Sequence, residues 1–153
     1  MSIKITTELV KELRDKTGIS VMQCRRALEE AGGDINKALA ILKKTSSDIA
    51  PKKAGRTSGC GYIHSYVHGD GRIGAMLELK CETDFVAKNE VFRNLAKELC
   101  MQIAATAPED VPNLLQEPFI KDESATVASL IEEAIAKTGE KIEIGHFARF
   151  ELA

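Results

Sequence analysis

The stretch Cys81-Glu82-Thr83-Asp84-Phe85-Val86-Ala87-Lys88-Asn89 holds the residue types with the most to say about function. It follows a run with strand periodicity and opens one with helix periodicity. Thr83 and Asp84 are both strong N-cap residues, because a side-chain oxygen there can accept a free N–H of the first helical turn. Phe85, large and apolar, stands beside them at the junction. Two readings are open. Phe85 can tuck under the start of the helix, where large apolar side chains commonly go. Alternatively, the junction is a rigid tip that pushes an aromatic wedge and a carboxylate into a partner. The second would be recognition chemistry, with no bond broken.

Other reactive residue types form no constellation. His64 and His68 lie on one face of a strand, but at ~13 Å apart they cannot share a metal. His146 falls in a second strand and reads as a packed or surface residue. Cys24, Cys60, Cys81 and Cys100 show no Cys-x-x-Cys pair and no zinc-type His spacing. They read as the reduced thiols of a cytosolic protein. No nucleophile, base and orienting group come together in the pattern. The expectation is a protein that is not an enzyme, with no catalytic residue, no metal and no cofactor.

The 153 residues suit one medium domain, or a small one plus a larger one. A chain of this length can bury about 68–70% of its unfolded surface. The formal net charge of −2 argues against a general nucleic-acid binder. The start, Met1-Ser2-Ile3-Lys4, lacks the charged and apolar regions of a signal peptide. No segment approaches ~18 apolar residues, so no membrane span is expected, and the expected location is the cytoplasm.

Three helices are expected over residues 1–47. Thr6 or Thr7 caps one carrying Leu9, Val10 and Leu13, which stops at Thr17-Gly18, where glycine allows a left-handed exit. Ser20 and Gln23 make a capping-box pattern ahead of Cys24, Ala27, Leu28 and Ala31. Asp34 caps a third with Ile35, Ala38, Leu39 and Leu42. Helices this short are marginal alone and must pack into one bundle. Residues 48–58, with Pro51-Lys52-Lys53-Ala54-Gly55-Arg56, read as a basic linker. Its basic residues suit a phosphate-binding role, but no aromatic is interleaved for stacking, which favours a solvated linker.

From 59 to 153 the pattern is α+β. Gly61–His68 and Ile73–Cys81 alternate with period two about a Gly69-Asp70-Gly71 turn, as in an antiparallel hairpin. One long helix follows Asp84, with Phe92, Leu95, Ala96, Leu99 and Ile103 inward. Residues 108–119, holding Pro108, Pro112 and Pro118, read as irregular. A helix with Val127, Leu130, Ile131, Ala134 and Ile135 ends at Thr138-Gly139. The last strand sets Ile142, Ile144, His146, Ala148 and Phe150 against Glu143, Gly145, Phe147, Arg149 and Glu151. A small antiparallel sheet of about three strands, covered by helices, is the expected layer.

Thr83-Asp84-Phe85-Val86-Ala87 resembles the TDFVA signature of the translation elongation factor Ts family, and Leu79–Glu82 and Lys88–Phe92 fit its flanks. Glu12-Leu13-Arg14, Thr17-Gly18 and Cys24–Leu28 are similar to that family's ubiquitin-associated-type N-terminal domain. The Lys52–Arg56 run resembles its linker. The resemblance covers nearly the whole chain. It implies a guanine-nucleotide exchange factor that meets elongation factor Tu in its GDP-bound and nucleotide-free forms, with no specific nucleic acid or membrane partner. Asp84 and Phe85 would form the tip near the Mg²⁺ and phosphate site of Tu, within the segment Thr83, Asp84, Phe85, Val86 and Ala87. Leu13, Arg14, Thr17 and Gly18 would dock on the nucleotide-binding domain of Tu. His68, in Tyr66-Val67-His68-Gly69, is similar to a histidine of the duplicated core repeat in longer members. This chain has one repeat bearing both elements, as do short members that form homodimers, although its 108–119 segment is shorter than their helical insertion. Taken without the family, residues 1–47 equally suit a ubiquitin-type adaptor without exchange activity, and the basic linker suits a ribosomal accessory protein.

Overall fold

A computed structural model describes residues 4–153, so the Met1–Ile3 start read above for a signal peptide lies outside the described residues. Three helices open the chain: α1 (Thr7–Thr17), α2 (Val21–Glu30) and α3 (Ile35–Lys53). Each begins where a side-chain oxygen replaces the missing backbone acceptor. Thr6 accepts from the N–H of Leu9, Ser20 from Gln23 and Asp34 from Lys37. Gly18 ends α1 in the left-handed region, at φ 68°. Val10, Leu13, Ile19, Cys24, Ala27, Leu28, Ala38 and Leu42 form the core of this bundle.

Helix α3 does not stop where the composition turns to Pro, Gly and Lys. It continues through Pro51 to Lys53. A proline inside a helix removes one donor and crowds the preceding turn. Tertiary contacts offset that cost here. Ser47 Oγ donates to Glu132 at 3.1 Å, Lys53 Nζ donates to the carbonyl of Gly139 at 2.8 Å, and Ile49 and Ala50 pack on the main core.

The larger layer is a three-stranded sheet in the order β1 (Cys60–His68), β2 (Ile73–Cys81), β5 (Glu143–Glu151), both pairings antiparallel. The central strand β2 buries Ala75, Leu77, Leu79 and Cys81 on one face. Helix α5 (Glu90–Thr106) covers that face with Phe92, Leu95, Leu99 and Ile103, and α7 (Val127–Thr138), packed against α5 and α3, adds Ile131 and Ile135 to the same core. The architecture is α+β, as expected.

Three local expectations change. The alternation of β5 switches phase at Gly145, because Leu79 pairs with Ile144 while Glu78 pairs with His146. Gly145 is thus an extra residue, and a bulge swaps the faces beyond it. Ile144 and Phe147 both pack inward, while His146 and Phe150 point outward. The single helix expected after Asp84 is two: α4 (Asp84–Ala87) and α5, the latter capped by Asn89. Residues 108–119 are ordered into α6 (Val111–Gln116) and β3 (Pro118–Phe119), which pairs with β4 (Asp122–Thr126). Pro112 sits in the first turn of α6, where its missing donor costs nothing. Fully buried Gln102 holds the hairpin: its amide donates to Glu117 and to the Pro118 carbonyl, and its oxygen accepts from Ile120 N–H.

Candidate functional site

At the open end of the β1–β2 hairpin the chain turns from β2 into α4. Thr83, not Asp84, is the cap, and its hydroxyl accepts from the Val86 N–H at 3.3 Å. Val86 and Ala87 are buried, so α4 is anchored from beneath. Phe85 is 82% exposed. Burial of the aromatic under the helix, the first of the two readings above, is therefore not what this fold does. Thr83 and Asp84 are exposed beside it.

Three residues outside the turn brace it, two of them remote in sequence. The Glu140 carboxylate, just past α7, accepts from Glu82 N–H at 3.1 Å and Thr83 N–H at 3.0 Å through Oε1, and from the Thr83 hydroxyl at 2.6 Å through Oε2. Glu82 answers by accepting from the Lys141 N–H at 2.8 Å. At the other end of α4, Arg93 Nε donates to the Ala87 carbonyl at 2.7 Å, and its guanidinium lies 3.6 Å above the Tyr62 ring. Neither Glu140 nor Arg93 carries a periodic or motif signal that would select it from the sequence.

Cys60 and Cys81 face each other across β1 and β2 at the base of the tip. Burial, then the Asp84 carboxylate, pushes the Cys60 thiol up. Burial, then the charge of Glu140, pushes Cys81 up to about 11. Its thiol donates to the Thr83 carbonyl at 3.2 Å. A thiol held neutral is a poor nucleophile and metal ligand. No group of three or more His, Cys, Asp or Glu side chains is placed to hold a metal ion among the described residues.

His68 ends β1 and is exposed, with its Nδ1 hydrogen-bonded to the Tyr66 hydroxyl at 2.8 Å. It pairs with Ile73, at the opposite end of the hairpin from the Cys60–Cys81 pair. At the rise of a strand that separates it from the tip by roughly 26 Å. One chain does not bring His68 and Phe85 together. Between them, the outer face of the sheet exposes Ile63, Val67, Met76 and Phe150.

The N-terminal candidates divide. Leu13 is fully buried and shapes the bundle from within, so it offers no side chain to a partner. Arg14 and Gly18 are exposed and Thr17 is half-buried. A Cβ on Gly18 would lie 3.6 Å from the Lys137 side chain of α7. Met22, on the first turn of α2, is an exposed apolar residue not singled out by the helical pattern, which reports only inward positions.

Residues 82–153, which begin at the tip, match the family model described as Elongation factor TS. The chain is 40% identical over 194 aligned positions to the elongation factor Ts of Desulforamulus reducens, covering 97% of this chain and 89% of that protein. It is 42% identical to the elongation factor Ts of Carboxydothermus hydrogenoformans, with the same coverage of 97% and 89%. Identity to the elongation factor Ts of Caldanaerobacter subterraneus subsp. tengcongensis is 42%, with 96% of each chain covered.

The chain belongs to the elongation factor Ts family.

Membership assigns it a role in translation elongation. An alignment of 194 positions exceeds the 153 residues of this chain, so some positions are filled by the relative alone. Over the aligned span this elongation factor Ts family member has fewer residues than that relative. Among its described residues no helix is long and apolar enough to cross a membrane.

Proposed function

We propose that this protein is a guanine-nucleotide exchange factor for elongation factor Tu, acting in the cytoplasm without catalysing a covalent step. The observation that carries the reading is Phe85. An aromatic side chain is displayed at 82% exposure on a turn whose next two residues are buried. Exposing an apolar ring on a braced turn costs free energy unless a partner covers it, and central aromatics are typical interface hot spots. Asp84 beside it supplies a hydrogen-bond acceptor.

Insertion of this tip near the Mg²⁺ and phosphate site of Tu would displace the groups that hold GDP. Factor and nucleotide then bind with negative coupling, and the coupling is reciprocal. Each ~1.4 kcal/mol removed from nucleotide binding speeds release about tenfold when it all falls on the off-rate. The N-terminal bundle, taken as ubiquitin-associated-like, adds affinity through Arg14, Thr17, Gly18 and Met22.

The active form in this reading is a homodimer. The exposed Ile63, Val67, Met76 and Phe150 on one sheet face support it, since a second copy about a twofold axis would cover the same residues on both sides. Each Tu would then meet Phe85 of one chain and His68 of the other. The deciding experiment is release of fluorescent GDP from Tu with and without the protein. Acceleration is expected, and an unchanged release rate at saturating protein overturns the reading.

A further inference from the structure

We infer that Glu140 is the positioning residue of the Asp84–Phe85 tip, holding it in its binding geometry without touching the partner. The inference rests on the exchange-factor reading for its functional consequence and on the structure alone for its geometry. The turn from β2 into α4 leaves Glu82 and Thr83 N–H groups with no ladder partner, because β5 pairing on that side begins only at Lys80. Both are taken by one oxygen of Glu140, and its second oxygen takes the Thr83 hydroxyl proton. That proton has one good destination. The Thr83 oxygen already accepts from Val86 N–H, so Glu140 sets the rotamer in which Thr83 caps α4.

The chain of contacts is short. Glu140 orients Thr83, Thr83 starts α4, and α4 begins with Asp84 and Phe85. Hydrogen bonds to a carboxylate are about twice as strong as neutral ones. Glu140 is itself fixed: Gly139 ends α7 in the left-handed region at φ 76°, Lys53 Nζ binds the Gly139 carbonyl, and Lys141 N–H binds Glu82. The tip is therefore tied to α7 and to the end of α3, not only to the strand that precedes it. Phe85, by contrast, has too little burial to hold its own position.

The test compares the full chain with Glu140→Ala and Glu140→Gln. Amide hydrogen exchange is read at 82–89 and, as a control, along α5 and α7. Affinity for Tu carrying fluorescent GDP is measured for each protein, and again with Asp84→Ala and Phe85→Ala added. Glu140→Ala is expected to speed exchange at 82–89 on the order of tenfold with α5 unchanged, and to weaken Tu binding about tenfold. Glu140→Gln, which keeps one acceptor oxygen, should fall between. With the tip side chains removed, Glu140→Ala should have little further effect, since coupled residues are not additive. Unchanged protection at 82–89, or an equal loss of affinity with and without the tip side chains, overturns the inference. If the unaltered protein fails to release GDP, the exchange reading falls, and the protection at 82–89 still decides whether Glu140 orders the tip.

Discussion

Phe85 and Val86 are neighbours in the chain and opposites in burial, one 82% exposed and the other 4%. The short helix α4 makes the difference. Its one turn places Val86 and Ala87 under the sheet edge and leaves Phe85 on the outside. An apolar pair that looks uniform in sequence is split into an anchor and a free wedge.

Phe85→Ala should therefore leave stability nearly intact, within about 0.5 kcal/mol as for surface changes, while removing most stimulated GDP release. Phe92→Ala is the internal control. Phe92 is fully buried, so its truncation should cost ~3–5 kcal/mol. Urea midpoints and release rates of both variants check this together. A large midpoint loss in Phe85→Ala, with normal release per folded molecule, would reverse the assignment.

The N-terminal face should act through affinity. Arg14→Glu combined with Met22→Ser changes two exposed positions. The protein concentration giving half-maximal GDP release should rise several-fold, while the maximal rate stays near that of the unaltered chain. A fall in the maximal rate with no change in half-saturation would contradict an anchoring role.

The outer sheet face should decide the oligomeric state. Phe150 is 75% exposed there and pairs with Gly74 of β2. Val67→Lys with Phe150→Asp should convert a dimer into a monomer of 16.7 kDa by light scattering. Mixing a Phe85→Ala chain with a His68→Ala chain should restore part of the exchange activity, because a mixed dimer rebuilds one complete site. An unaltered chain that is monomeric and fully active would refute the shared site.

Stability should fall on the alkaline side. Burial, aided at Cys81 by the charge of Glu140, raises Cys81 and Cys100 from 9.0 to about 11 in the folded chain. A group whose folded pKa is raised adds stability that is full below its unfolded value and is lost as pH rises toward the folded one. The urea midpoint should therefore drop between pH 9 and 11. Cys81→Ala with Cys100→Ala should flatten that slope, even though the variant starts from a lower midpoint. An identical slope in both proteins would remove these thiols as its cause.

The elements whose signals are local were legible in the sequence. The caps at Thr6, Ser20 and Asp34, the hairpin about Gly69–Gly71 and the inward stripes of α5 and α7 all depend on residues within a turn or two of one another. The tip candidate and the family were legible too, through Thr83–Ala87 and its flanks. Contacts between distant segments decided the rest. The first part of the expected linker, through Lys53, became the end of α3, where Ser47 and Lys53 find partners on and just after α7. Gly145 inverted the second half of β5 because an extra residue had to be absorbed opposite β2. The exposure of Phe85 is not a property of phenylalanine. It follows from Val86 and Ala87 filling the space beneath α4, and from Glu140, 57 residues from Thr83 along the chain, holding the turn in place. Period and propensity act over a few bonds, whereas burial and long-range hydrogen bonds exist only once the chain has closed on itself.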